Sequence, residues 1–199
     1  TRDTGNTCGT DPECFGHETQ ECVPGVCAWG PATCTPLSDI PCTGGTCDNG
    51  VCEEEPEGCT LTPGYWKTHT KYDVNEKTGK SKQDPTWNQI LPEGEDTIFF
   101  LSGQSWYNVF LTEPSTENGG AYYTLAHQYM AAVLNTLQAE PASTTPEVDA
   151  AMAWAKAFFE ANAPTEWQGL VDQSDITDNS EILDEYNNGL ADGGPPHCP

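Results

Sequence analysis

Eight of the ten cysteines, Cys8, Cys14, Cys22, Cys27, Cys34, Cys42, Cys47 and Cys52, lie within the first 52 residues; Cys59 follows closely and Cys198 stands alone near the other end. So short a segment buries too little apolar surface to fold on its core alone, and such cysteine density marks a disulfide scaffold that replaces the core. Oxidised thiols imply an oxidising compartment. Downstream the composition changes to paired aromatics and apolar stripes, so a chain of 199 residues reads as two parts. These are a cysteine-rich, turn-rich arm over 1–52, an acidic linker EEEPEG over 53–58, and a domain over 59–199.

The arm is internally repeated. Cys14 matches Cys34, Cys22 matches Cys42 and Cys27 matches Cys47, each 20 residues apart, and Gly25 with Gly45 and Gly30 with Gly50 keep the same register. Glycines between close cysteines permit the positive φ angles of tight turns. The C-x4-C spacing, seen at Cys22/Cys27, Cys42/Cys47 and Cys47/Cys52, suits small disulfide loops better than the C-x2-C pairs of a zinc ribbon. Ten cysteines admit many hundreds of complete pairings. One pair is expected outright: Cys59 opens the second part and Cys198 nearly closes it, so their bond would clasp its ends and leave the other eight to pair within the arm. CTGGTCDNGVC in the arm loosely resembles EGF-like and colipase-like secreted modules, which implies a stapled ribbon and no particular activity.

Charge narrows the class of partner. The formal net charge is -24, which disfavours nucleic acid and anionic membrane surfaces, both of which need a basic face. No apolar run approaches the length of about 20 residues needed to cross a bilayer. The opening residues TRDTGNTCGT lack the apolar stretch of a signal peptide, so the expectation is a mature secreted chain, extracellular or at the cell surface. No N-x-Ser/Thr sequon occurs. The charge is also uneven: Lys67 to Lys82 sums to +3, whereas Glu140 to Pro199 sums to -11. A basic island in an acidic chain can steer copies together head to tail.

The second part reads as mainly α. In AYYTLAHQYMAAVLNTLQ, Tyr122, Ala126, Tyr129, Met130, Val133, Leu134 and Leu137 recur at helical spacing, with Gln128 and Asn135 expected on the opposite face. Thr144 with Glu147 fits a capping box for a second helix that has Pro146 in its first turn and Val148, Met152, Ala155 and Phe159 inward. A third helix is expected in NSEILDEYNNG, stopped at Asn188-Gly189. TIFFL reads as a strand before a short helix that turns Trp106, Val109 and Phe110 inward, and KYDVNEKTGKSKQ as an exposed loop or a ribbon turning at Thr78-Gly79.

The stretch CTLTPGYWKTH, Cys59 to His69, together with FFLSGQSWYNV, AYYTLAHQYMAAVLN, YNNG and PHC, resembles a family of secreted, mostly bacterial proteins whose shared module begins C-T-x-T-x-G-Y-W-K-x-H. The likeness covers nearly all of 59–199. It implies an extracellular module attached to varied partners and carries no reaction. Read from the residues themselves, Pro63-Gly64 turns the chain and Tyr65 and Trp66 supply aromatic anchors beside Lys67, so Gly64, Tyr65, Trp66 and Lys67 form a structural clasp.

Two metal sites are candidates. His69, His127 and His197 could meet as zinc or copper ligands, and Asp172, Asp175 and Asp178 lie in a stretch acidic enough for calcium. There is no H-E-x-x-H, no G-x-S-x-G elbow and no phosphate-binding glycine loop, and apart from calcium no cofactor is expected. The leading expectation is a non-catalytic extracellular structural or adhesive protein, a filament subunit whose arm contacts a neighbouring copy. The alternatives are a glycan- or protein-binding module using Trp29, Trp87 or Trp167, and a histidine-liganded metalloenzyme.

Overall fold

Gly120–Thr136 forms the central helix of the second part because small and apolar residues occupy most of its circumference. Leu125, Ala126, Met130, Ala131, Ala132 and Leu134 are all fully buried there, which lets neighbouring helices approach from several sides at once. The computed structural model describes residues 58–116 and 119–199 in full and, before them, the backbone of six strands. The chain divides into two compact units, Thr1–Pro56 and Glu57–Pro199.

In the first unit, strands β1 (Arg2–Cys8), β2 (Gly16–Val23) and β3 (Ala28–Thr35) form one antiparallel sheet in sequence order. Strands β4 (Pro41–Cys42), β5 (Gly45–Asp48) and β6 (Val51–Glu54) form another, in which the backbone of Cys47 lies opposite that of Cys52. Strand β6 takes in Glu53 and Glu54, so the linker begins later than its composition suggests. The pairing of the eight arm cysteines lies outside the described residues.

The second unit is helix-rich. Helices α1 (Pro63–Lys67), α2 (Trp106–Leu111), α3 (Gly120–Thr136), α4 (Pro146–Ala161) and α5 (Gln173–Asn187) surround one core, with α1, α2, α4 and α5 all packed on α3. Aromatic edges tie the layers together: Trp87 meets Trp66, Trp106 and Phe110 edge to face, and Phe159 meets Phe99 and Tyr122 at about 5 Å.

Local chemistry sets the helix ends, with two corrections to the sequence reading. Helix α4 is capped by Thr145, whose hydroxyl accepts from the Val148 N–H, while Thr144 donates to Asp149; Thr144 and Glu147 therefore form no capping box. Helix α5 starts at Gln173, ahead of the Asn179 that opens NSEILDEYNNG, because Asp172 accepts from Ser174 N–H and Ile176 already faces the core. The stop at Asn188-Gly189 is as expected, Gly189 taking φ +67°. A Cβ there would lie 2.2 Å from the His197 backbone nitrogen, so only glycine lets the C-terminal segment cross the end of α5.

TIFFL does not form a strand. Its only ladder contact is an isolated antiparallel bridge between Ile98 and Ser105, and Phe100–Ser102 winds into a 3-10 turn closed at Gly103, φ +69°. The turn encloses Phe99 fully and half-buries Phe100, while Ile98 and Leu101 stay exposed. The ribbon at 73–82 forms as read: Val74 pairs with Ser81, Asn75 N–H donates to Lys80 O at 2.8 Å, and Gly79 takes φ +65°.

Candidate functional site

The Cys59 to His69 motif meets both ends of its unit. Thr62 caps α1 by accepting from Tyr65 N–H, and Pro63 occupies the first turn, where its missing N–H costs nothing. One turn of helix then sends Trp66 inward and leaves Tyr65, Lys67 and His69 partly exposed. Trp66 is fully buried, and its indole N–H donates to Asn135 Oδ1 at 3.2 Å.

Asn135 is the hub of this site, and here the sequence reading is corrected: it does not face away from the core but is fully buried. Its Oδ1 also accepts from Leu61 N–H at 2.9 Å, while its Nδ2 donates to Leu61 O and to Asn187 Oδ1, both at 3.0 Å. Asn187 in turn donates to the Gln128 carbonyl and side chain, and Gln138 donates to Cys59 O. One amide thus reads the backbone of the motif as a neighbouring strand would, and ties it to α3 and α5.

Just beside this hub the unit closes. Thr60 N–H donates to Pro196 O at 2.9 Å, Cys198 N–H donates to Thr60 O at 3.0 Å, and Cys59 is disulfide-bonded to Cys198, their Cα atoms 5.0 Å apart. The expected clasp is present.

The remaining motif side chains are held within the unit. Tyr65 donates to Asp84 at 2.9 Å and lies flat against His69, with ring centroids 3.9 Å apart; burial, then the bond and charge of Asp84, push its hydroxyl up to about 12. It stays protonated at neutral pH. Lys67 reaches Glu113 at 2.7 Å in an exposed ion pair of the kind that contributes little to stability.

The three histidines stand apart. His69 Nδ1 lies 2.8 Å from Tyr65 O, His127 Nε2 lies 2.8 Å from Val109 O, and His197 is exposed with Nδ1 against Cys198 O. Among the described residues no three His, Cys, Asp or Glu side chains converge to hold a metal ion. Because a carbonyl only accepts, the proton of His127 sits on Nε2, and burial lowers its pKa from 6.5.

That shift has a sign. The unfolded chain takes up the proton first as the pH falls, so the stability held by neutral His127 is full above about 6.5 and declines below it. Denaturant midpoints measured from pH 7 to pH 5 are expected to fall, and His127→Gln is expected to flatten that slope. An unchanged slope would show that His127 titrates normally.

Asp172 is occupied as the cap of α5, and the Ser174 N–H holds its carboxyl below the usual range. Asp175 and Asp178 are exposed on the same helix, and neither Asp178 nor Ser180 caps it. Trp87 and Trp167 are buried, so they are not available to stack on a sugar, and the side chain of Trp29 lies outside the described residues. Among the described residues, the tryptophan that reaches the surface is Trp154. It stacks parallel on Phe158 at 5.5 Å and lines a shallow groove of about 300 Å³ with Leu170, Asp172 and Asp175.

Among the described residues, two other grooves are larger. One, about 440 Å³, runs beside the disulfide between Asp84, Gln89, Gln138 and Glu140. The other, about 480 Å³, lies between α3 and α5. The chain matches no family model, no curated protein and no solved structure.

Proposed function

We propose that the protein is a non-catalytic extracellular structural subunit that associates head to tail, with its cysteine-rich arm engaging a neighbouring copy. The observation that supports this is the use made of the GYWKTH motif. Its indole, phenol and imidazole are held by Asn135, Asp84 and the Tyr65 carbonyl, and the backbone of Thr60 just before it closes the unit on itself. Groups held in this way position a backbone rather than a substrate.

The clasp has a mechanical consequence that suits such a role. Because Cys59 and Cys198 are joined, a pull applied at the two ends of this unit is borne by the disulfide. The uneven charge suits heterologous contact, which extends rather than closes. Deleting residues 1–52 is expected to abolish the polymer seen by negative-stain microscopy while the remaining chain keeps its helical circular dichroism. Polymers of unchanged length from the truncated protein would sink this reading.

A second reading, a glycan-binding module, is favoured by the Trp154 groove, where an aromatic wall stands beside two carboxylates able to accept from sugar hydroxyls. A saccharide panel is expected to quench tryptophan fluorescence in the native protein and not in Trp154→Ala. Equal quenching in both would exclude this groove.

A further inference from the structure

We propose that the groove between α3 and α5 receives the lysine ribbon 73–82 of a second copy of this chain. The inference rests on the head-to-tail association proposed above and names a surface for it.

The ribbon is built to present cations. Its two arms are tied by Asn75 N–H to Lys80 O and Lys82 N–H to Asp73 O, and Asn75 Oδ1 accepts from Lys77 and Thr78 N–H across the turn. Lys77, Lys80 and Lys82 are exposed, and none of them has an ion-pair partner among the described residues. In contrast, Lys67, Lys71 and Lys156 each hold a carboxylate of their own unit.

The groove offers what a lysine needs. Ala121 and buried Ile176 give an apolar floor for the four-carbon stem. Glu181 and Asp184 supply carboxylates at its edge, and α5 carries Asp175, Asp178, Glu181, Asp184 and Glu185 with no basic residue. Deeper in, Ser180 lines the groove at 6% exposure, and its hydroxyl has no hydrogen-bond partner among the described residues. That hydroxyl is closed off from solvent, so the ammonium is met by the carboxylates at the groove edge rather than by Ser180. Asp184 is held by Gln128 through Oδ1, so one carboxylate is already oriented for the incoming charge.

Ribbon and groove are different patches of one unit, so the contact is heterologous and repeats from copy to copy. The test uses the full chain and two variants. One reverses the ribbon (Lys77→Glu, Lys80→Glu, Lys82→Glu) and the other reverses the groove (Glu181→Lys, Asp184→Lys), with Glu181→Lys alone as a milder form that spares the bond to Gln128. Association is followed by mass photometry and sedimentation velocity at low and high salt.

Each variant alone is expected to lose association by about tenfold or more, and an equimolar mixture to regain it, since each reversed surface then faces its complement. The groove variant is the sharper arm, because it lowers the net negative charge and general repulsion would make it associate better. Wild-type association by either variant alone, or a mixture that stays dissociated, overturns this surface. Polymers that survive both reversals and vanish on deletion of 1–52 overturn it while leaving the arm-mediated reading intact. A native chain that is monomeric at every salt concentration overturns both.

Discussion

Breaking the Cys59–Cys198 bond is expected to destabilise the helical unit by about 4 to 5 kcal/mol, from the closure entropy of a loop whose ends are 139 residues apart in sequence. A long loop is where a cross-link restricts the unfolded chain most. The test is the double variant Cys59→Ser and Cys198→Ser, which leaves the other cysteines untouched, unfolded in guanidinium beside the native protein. The folded structure has a second tie at this place, the paired backbone of Thr60 and Cys198 with Pro196, and that pairing is expected to loosen with the bond. Faster amide exchange at Thr60 and Cys198 would report it. A double variant with the native midpoint would mean that the helices, rather than the clasp, hold the two ends together.

Asn135→Ala is expected to cost about 4 kcal/mol, at the far end of what single substitutions do. Truncation strips partners from four groups at once: Leu61 N–H, Leu61 O, the Trp66 indole N–H and Asn187 Oδ1. Each polar group left buried without a partner costs about 1 kcal/mol or more, and Trp66 and Asn187 are both fully enclosed. Asn135→Leu is expected to be no better, since a larger apolar residue still satisfies none of the four. Lys67→Ala, which removes only an exposed ion pair next to the same turn, is the control and is expected to shift the midpoint far less. Urea unfolding of the three variants decides it, and an Asn135→Ala midpoint close to that of Lys67→Ala would remove the asparagine from its central role.

The three main helices were legible because each has a stretch of apolar residues at helical spacing, and α5 also has a glycine stop that sterics enforce. Periodicity placed Val148, Met152, Ala155 and Phe159 of α4 inside; Val148, Ala155 and Phe159 are buried and Met152 is partly buried against them. It failed at Asn135, because a polar residue on the side opposite an apolar stripe reads as solvent-facing. Whether that side meets water or becomes a hub depends on which backbone groups arrive from elsewhere, and Leu61 is 74 residues away in the chain. The same limit explains Trp87 and Trp167: tryptophan suits both a core and a sugar platform, and only the packing of its neighbours decides. Trp154, half-buried on Phe158, has a sequence neighbourhood that does not distinguish it from the buried tryptophans.

Helix starts show the division at finer scale. Thr144 and Thr145 are both competent caps, and the choice of Thr145 rests on a single hydroxyl reaching Val148 N–H while Thr144 finds Asp149 instead. TIFFL has the composition of a strand, yet among the described residues no partner strand lies beside it, and the tight turn at Gly103 sends Phe99 into the aromatic core while Ile98 and Leu101 stay at the surface.

By itself the sequence determined the boundary between a cysteine-rich arm and a helical unit, the helix periodicity, the Cys59–Cys198 clasp and the charge asymmetry, because each follows from composition, spacing or the chemistry of neighbouring residues. The tertiary structure decided which polar groups became internal, how Asn135 gathers the motif, α3 and α5, and that the three histidines do not share a site. The reason is physical: hydrogen-bond partners and burial are set by segments distant in sequence, and no local pattern carries the identity of the group that will arrive.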